Sequence, residues 1–190
     1  MEALEKRIMS EGEVRPGGIL KVDGFLNHRI DPQLSYDMAV ELKRLYEGEE
    51  INKILTIEAS GIAMAVMAGY VFGCPLVFAK KSKTKNISSN VWSTEVESFT
   101  HGNTNTVVVS REYLGPDDKV LIVDDFLATG AALVGLKALV EQAGGTVVGA
   151  GIAIEKVFQG GGSQLRSEGL RVESLARIAS MDDSGIVFER

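Results

Sequence analysis

Val120-Leu121-Ile122-Val123-Asp124-Asp125-Phe126-Leu127-Ala128-Thr129-Gly130-Ala131-Ala132 is the stretch that decides the fold class of this chain. Val120 to Val123 form an apolar run with the composition of a buried strand, and the run stops at two adjacent carboxylates. Small residues follow, and Leu133, Leu136 and Leu139 then recur at helical spacing. The order is strand, acidic pair, small-residue loop, helix start. A helix start fed by small residues presents free backbone N–H groups and the positive end of the helix dipole, which suits a phosphate. Asp124 and Asp125 would repel that phosphate. They therefore serve another group of the same ligand, either ribose hydroxyls or a metal ion on a sugar phosphate.

The same alternation spreads outward in both directions. Upstream, Met1 to Glu11 reads as a charged amphipathic helix, Arg15-Pro16-Gly17-Gly18 as a turn and Ile19–Val22 as a short strand. An irregular stretch around Phe25–His28 precedes Asp31-Pro32, an N-cap followed by proline at the first helical position, and a helix to about Glu47. Beyond it the pattern predicts strands at Lys53–Ile57, Leu76–Ala79, Lys119–Val123, Val147–Ile154 and Val172–Ile178. Helices are predicted at Ile62–Phe72, Gly130–Gln142 and Gln164–Glu168, and a hairpin over Val91–Thr100 and Thr106–Ser110 turns at His101-Gly102-Asn103. Alternating strands and helices imply an α/β fold, a mostly parallel twisted sheet with helices on both faces. Ligands then lie beyond the carboxyl ends of the strands. Glu58–Gly61, Asp124–Ala132 and Glu155–Phe158 are expected to meet there as loops.

Composition narrows the function. The 190 residues are 45% hydrophobic and 24% charged, with a net charge of −6, which argues against nucleic acid as the main partner. The lone Cys74 and the absence of a recognisable signal peptide favour a reducing cytoplasm. Ala59–Ala79 carries no charge, but its internal glycines and Pro75 read as a buried helix and a strand, with no membrane span. His28 and His101 belong to no zinc-type cluster, and no Ser-His-Asp or Cys-His nucleophile set is visible. Lys80, Lys81, Lys83 and Lys85 form the only dense basic run, placed by this reading in a flexible loop after a strand end, with Lys81 the expected contact to an anion.

The string around Asp124 and Asp125 resembles the signature of the phosphoribosyltransferases, whose shared substrate is 5-phospho-α-D-ribose 1-diphosphate (PRPP). One departure is Ala132, where many members carry Thr or Ser. The resemblance extends along the chain. It includes Leu20-Lys21-Val22-Asp23 with Phe25-Leu26-Asn27-His28, Ile57-Glu58-Ala59-Ser60-Gly61, Phe78-Ala79-Lys80-Lys81, Ile154-Glu155-Lys156 and Val172–Ile178. Together these segments are similar to the bacterial xanthine phosphoribosyltransferases, within the type I purine phosphoribosyltransferase family.

That resemblance implies purine salvage: xanthine and PRPP give xanthosine 5′-monophosphate (XMP) and pyrophosphate. It implies xanthine contacts from Leu20, Asn27 and Lys156, PRPP binding by Ala128, Thr129, Gly130, Ala131 and Ala132, and catalytic roles for Asp124 and Asp125. It further implies a pyrophosphate loop at Ala59, Ser60 and Gly61 with a non-proline cis peptide, Mg²⁺ carried mainly by PRPP or pyrophosphate, and a homodimer. One phosphoribosyltransferase domain over 1–190 is expected, with a base-binding hood from about 1–30 and a flexible loop and hairpin over about 80–110. Leu20 and Phe25 are both candidates for the apolar wall against the base. Another purine acceptor is the nearest rival. A PRPP-sensing regulator would need an added DNA-binding module and a basic face, which this acidic chain does not offer.

Overall fold

The computed structural model describes residues 1–82, 90–97, 104–182 and 185–189. Lys83, Lys85 and the His101-Gly102-Asn103 turn of the sequence reading lie outside them. Helix α1 (Glu2–Glu11) leads into a hairpin of β1 (Glu13–Arg15) and β2 (Ile19–Lys21), followed by α2 (Pro32–Leu45). The α/β series is β3 (Lys53–Ile57), α3 (Ile62–Phe72), β4 (Leu76–Ser82), β5 (Val91–Glu97), β6 (Thr104–Ser110), β7 (Lys119–Leu127), α4 (Ala131–Gln142), β8 (Thr146–Lys156), α5 (Gly161–Ser167), β9 (Val172–Asp182) and β10 (Gly185–Phe188). The main sheet has eight strands in the order β10-β9-β8-β7-β3-β4-β6-β5. Its centre, from β9 through β4, is parallel, and β10, β6 and β5 add antiparallel edges.

The apolar run of β7 is continuous because both faces of the sheet are covered. Leu121 and Val123 join one core with Leu4 and Ile8 of α1, Met38 and Leu42 of α2 and Met64 of α3. The alternate residues Val120 and Ile122 join the other, beneath Leu133, Leu136 and Leu139 of α4. Asp31 caps α2 as expected, its side chain accepting from the Leu34 N–H at 3.1 Å. The uncharged stretch resolves into α3 and β4, and among the described residues no helix is long and apolar enough to cross a membrane.

Several strands run further than the sequence predicts, and this repositions functional residues. β7 continues through Asp124 and Asp125 to Leu127, paired with β8 as far as Leu127↔Glu155. β8 likewise continues through Glu155 and Lys156, in register with β9 up to Lys156↔Ile178. The expected loops at Asp124–Leu127 and Glu155-Lys156 are therefore strand, because ladder bonding uses backbone groups and tolerates polar side chains that face a cavity. Lys80 and Lys81 also lie on a strand, opposite Val108 and Val107 of β6. They do not follow a strand end. The irregular stretch near Phe25 is a short π-helix over Asp23–Asn27. β1 and β10 are short edge strands that the pattern did not reveal.

Candidate active site

The carboxyl ends of the parallel strands open onto a cavity of about 370 Å³. Its floor is the quoted stretch: Asp124 to Leu133 all line it, joined by Ser60, Lys81, Leu20 and Lys156. Elements far apart in the chain thus bring most of the anticipated residues to one place. Asn27 stands just behind them, its side-chain Nδ2–H donating to Asp125 Oδ2 at 3.2 Å. Ala59 and Gly61 do not line the cavity, although Glu58 and Ser60 beside them do. Phe25 is fully buried in the core, so of the two apolar candidates only Leu20 reaches the cavity.

Asp125 is held from both sides, by Ser60 Oγ–H at 3.0 Å on one oxygen and Asn27 on the other. Its own N–H donates to Asp124 Oδ1 at 3.0 Å. Burial, and then the neighbouring Asp125 carboxylate, push the Asp124 carboxyl well above its ordinary range. Gly61 packs where any side chain would collide with Thr56 Oγ1 and approach Asp124 Oδ1 to 2.8 Å. Only glycine fits this spot. The Glu58–Ala59 peptide beside it is cis and non-proline, as the resemblance implies.

At the other end of the loop, Gly130 adopts φ +89°, a left-handed conformation that favours glycine, immediately before α4. No side chain caps this helix start. Ala131 and Ala132 bring its first turn to the cavity wall, so the N–H groups that lack intrahelical partners and the positive end of the helix dipole face the space an anion would fill. Lys81 also lines the cavity, its backbone N–H donating to Glu58 Oε1 at 2.6 Å.

Lys156 lines the same cavity. Its ammonium donates to the Gly18 carbonyl at 2.8 Å and lies 5.3 Å from the centroid of the Phe126 ring. Among the described residues no carboxylate forms an ion pair with it, and burial lowers its pKa from the ordinary lysine value. Phe126 and Gly18 escaped the sequence reading. Phe126 was within reach of it: once the strand is taken through Asp125, the residue after the acidic pair lies on the strand end facing the ligand space. Gly18 carried no signal, since only the tertiary fold brings the β1–β2 turn to Lys156. The hairpin residues Val96, Asn105 and Val107 were missed for the same reason.

A strand-borne carboxylate pair facing an uncapped helix start, at the carboxyl edge of a parallel sheet, is an architecture for binding a sugar phosphate. The phosphoribosyl transferase domain model matches residues 29–178, and the chain belongs to this phosphoribosyltransferase family. It is 53% identical to a xanthine phosphoribosyltransferase of Finegoldia magna, over 100% of both chains. It is 50% identical to the xanthine phosphoribosyltransferase of Bacillus cytotoxicus, over 99% of this chain and 95% of the other. Among solved structures, adenine phosphoribosyltransferase from Thermoanaerobacter pseudethanolicus superposes with a TM-score of 0.74 at 24% identity, covering 92% of this chain and 99% of that one. The Trypanosoma brucei adenine phosphoribosyl transferase, crystallised with AMP, pyrophosphate and ribose-5-phosphate, gives 0.77 at 16% identity, covering 96% and 82%. The two structural likenesses share the fold.

Proposed function

We propose that this chain transfers the phosphoribosyl group of PRPP to xanthine, forming XMP and releasing pyrophosphate. The observation that carries the reading is one cavity holding both halves of the chemistry. The Asp124–Asp125 pair, the open start of α4 and Lys156 over Phe126 all line it. The full-length identity to xanthine phosphoribosyltransferases supports the acceptor.

In this reading the α4 start, with the Thr129 hydroxyl, binds the 5′-phosphate through charge-assisted N–H and O–H donors. Asp124 and Asp125 accept from the ribose hydroxyls. When the bond to pyrophosphate loosens and a purine nitrogen approaches the anomeric carbon, positive charge grows on the ribose ring, and the nearby carboxylates offset it. Xanthine needs no protein nucleophile. Lys81 and the Ser60 loop face the departing pyrophosphate. Lys156 donates to an oxo group of xanthine, and its partial desolvation strengthens that bond. An amino group at the same purine position would meet a donor with a donor, which disfavours adenine. Leu20 and Phe126 supply the apolar walls, and the N-terminal segment up to about residue 30 acts as the hood over the base.

Phosphoribosyltransferases use Mg²⁺ with PRPP. Among the described residues no group of three His, Cys, Asp or Glu side chains is arranged for a metal, while Asp124 and Asp125 offer hard oxygen acceptors at the cavity. That donor set fits a Mg²⁺ that would be held mainly by diphosphate and water, with the two aspartates available as protein-side oxygen ligands. When bound there it would neutralise charge on the leaving group. A cytoplasmic homodimer acting on small molecules, away from membrane and nucleic acid, completes the proposal. It is supported by the resemblance, the acidic charge and the single cysteine.

A purine panel at saturating PRPP, with pyrophosphate release as the readout, tests the acceptor. Turnover with xanthine well above that with hypoxanthine, guanine and adenine is expected. Efficient use of another purine with no xanthine turnover overturns the assignment.

A further inference from the structure

Behind the phosphate loop, one residue before Lys156, lies a carboxylate that the reaction itself does not use. Glu155 is 0% exposed. Arg166 grips it with two parallel bonds of 2.7 Å each, Ser174 Oγ–H donates at 2.6 Å, and Arg177 Nε stands 3.5 Å away. Burial alone would raise its carboxyl, yet the bonds and charge of Arg166, with Ser174, hold it below the ordinary value. A buried ion pair adds little net stability over an apolar pair of the same size. What a bidentate pair supplies is fixed geometry.

The element it fixes is α5, which carries Arg166. With seven residues and no side-chain cap, this helix is too short to hold its place unaided. One side of it is pressed onto Glu155: a side chain at Gly162 would collide with Glu155 Oε1 and come within 2.7 Å of Cδ. The other side is pressed onto the phosphate loop. The Gly161 N–H donates to the Ala128 carbonyl at 3.2 Å, and a Cβ at Gly161 would stand 2.6 Å from the Gly130 nitrogen. Leu165 Cδ1 lies 3.1 Å from where a Gly130 Cβ would be. α5 is a wedge between the Glu155 clamp and Ala128-Thr129-Gly130.

We infer that Arg166 is a positioning residue for PRPP: through its grip on Glu155 it seats α5 against Ala128–Gly130 and so holds the phosphate loop in its binding shape. The inference rests on the reading of Ala128–Ala132 as the PRPP loop. Gly162→Ala tests it with every charge retained, because the added methyl displaces α5 from Glu155. Arg166→Gln and Arg166→Lys test the grip directly. Steady-state kinetics for both substrates are measured on each variant, with melting temperature to establish folding.

Gly162→Ala and Arg166→Gln are expected to raise KM for PRPP about tenfold while KM for xanthine stays within about twofold, since a loop displaced by an ångström loses aligned donors. Arg166→Lys, keeping the charge but losing the fork, should fall between them and wild type. Ala131→Asp is the control for the loop itself, placing a carboxylate at the α4 start, where it repels a phosphate. If Ala131→Asp raises the PRPP KM and folded Gly162→Ala does not, the positioning role fails. Equal rises in both KM values, or lower melting with unchanged KM, also overturn it. If Ala131→Asp leaves the PRPP KM unchanged, the loop reading falls and the inference falls with it.

Discussion

Replacing Lys156 with methionine separates a functional lysine from a structural one. Lys156 is 9% exposed, and its ammonium contacts the Gly18 carbonyl and the face of the Phe126 ring. Methionine retains most of the apolar stem over Phe126, and the Gly18 carbonyl, half-buried on a turn, is free to accept from water. Stability should therefore change by no more than about 0.5 kcal/mol, roughly 1–2 °C in melting temperature for a chain of this size. The acceptor loses a charge-assisted bond of about 1.5–3 kcal/mol. At about 1.4 kcal/mol per factor of ten, kcat/KM for xanthine should fall by about 10- to 150-fold, with KM for PRPP within about twofold.

The pH dependence has a definite sign. The folded lysine titrates below its unfolded value of 10.5, so between those two pH values the unfolded chain binds more protons and wild-type stability rises with pH. The variant lacks that gain. Its melting temperature relative to wild type should therefore decline as pH approaches 10.5. Substrate titrations with pyrophosphate release, paired with melting curves across pH, provide the check. A melting temperature several degrees lower together with equal losses toward both substrates would refute the role assigned to Lys156.

Asp124→Asn and Asp125→Asn should each cut kcat by about 10²–10³-fold with circular dichroism unchanged, the range for removing one preorganised electrostatic contact; near-normal turnover removes that aspartate from the mechanism. Because the folded Asp124 carboxyl titrates above its ordinary 3.8, wild-type stability declines as pH rises from that value through the folded one, and melting curves of Asp124→Asn should lack this decline. Gly61→Ala drives a methyl against Thr56 and Asp124, and should cost turnover out of proportion to stability, read by comparing kcat with melting temperature. Gly149→Ala is the opposite case: its methyl would sit 2.7 Å from Tyr46 Cε1 and 2.9 Å from the Arg171 carbonyl, remote from the cavity. Overpacking of about 1–3 kcal/mol should lower melting by about 2–12 °C with both KM values unchanged.

Element identities were legible wherever periodicity was strong. Ile62–Phe72 and Lys53–Ile57 form as the pattern predicts, and the Asp31-Pro32 helix start is realised by a side-chain cap. Strand ends were not legible. At Asp124 and Glu155 the hydrophobic run stops, but the backbone ladder continues, because hydrogen bonding between strands depends on the neighbour's register and not on side-chain polarity. The edge strands β1 and β10 were too short to show a pattern at all.

The local string from Val120 to Ala132 determines by itself a buried strand, a carboxylate pair and an open helix start, since each follows from neighbouring residues alone. The partners of those groups are a tertiary matter. Asn27 reaches Asp125 across 98 positions, and Lys156 reaches Gly18 across 138. Phe25 and Leu20 look alike as sequence candidates, yet packing buries one in the core and turns the other to the cavity. In the proposed reading the phosphate half of the site is written in contiguous residues because a helix start makes its own field. The proposed purine half would take its walls from separate segments, and only the register of the sheet and the placement of the N-terminal hairpin bring those segments together.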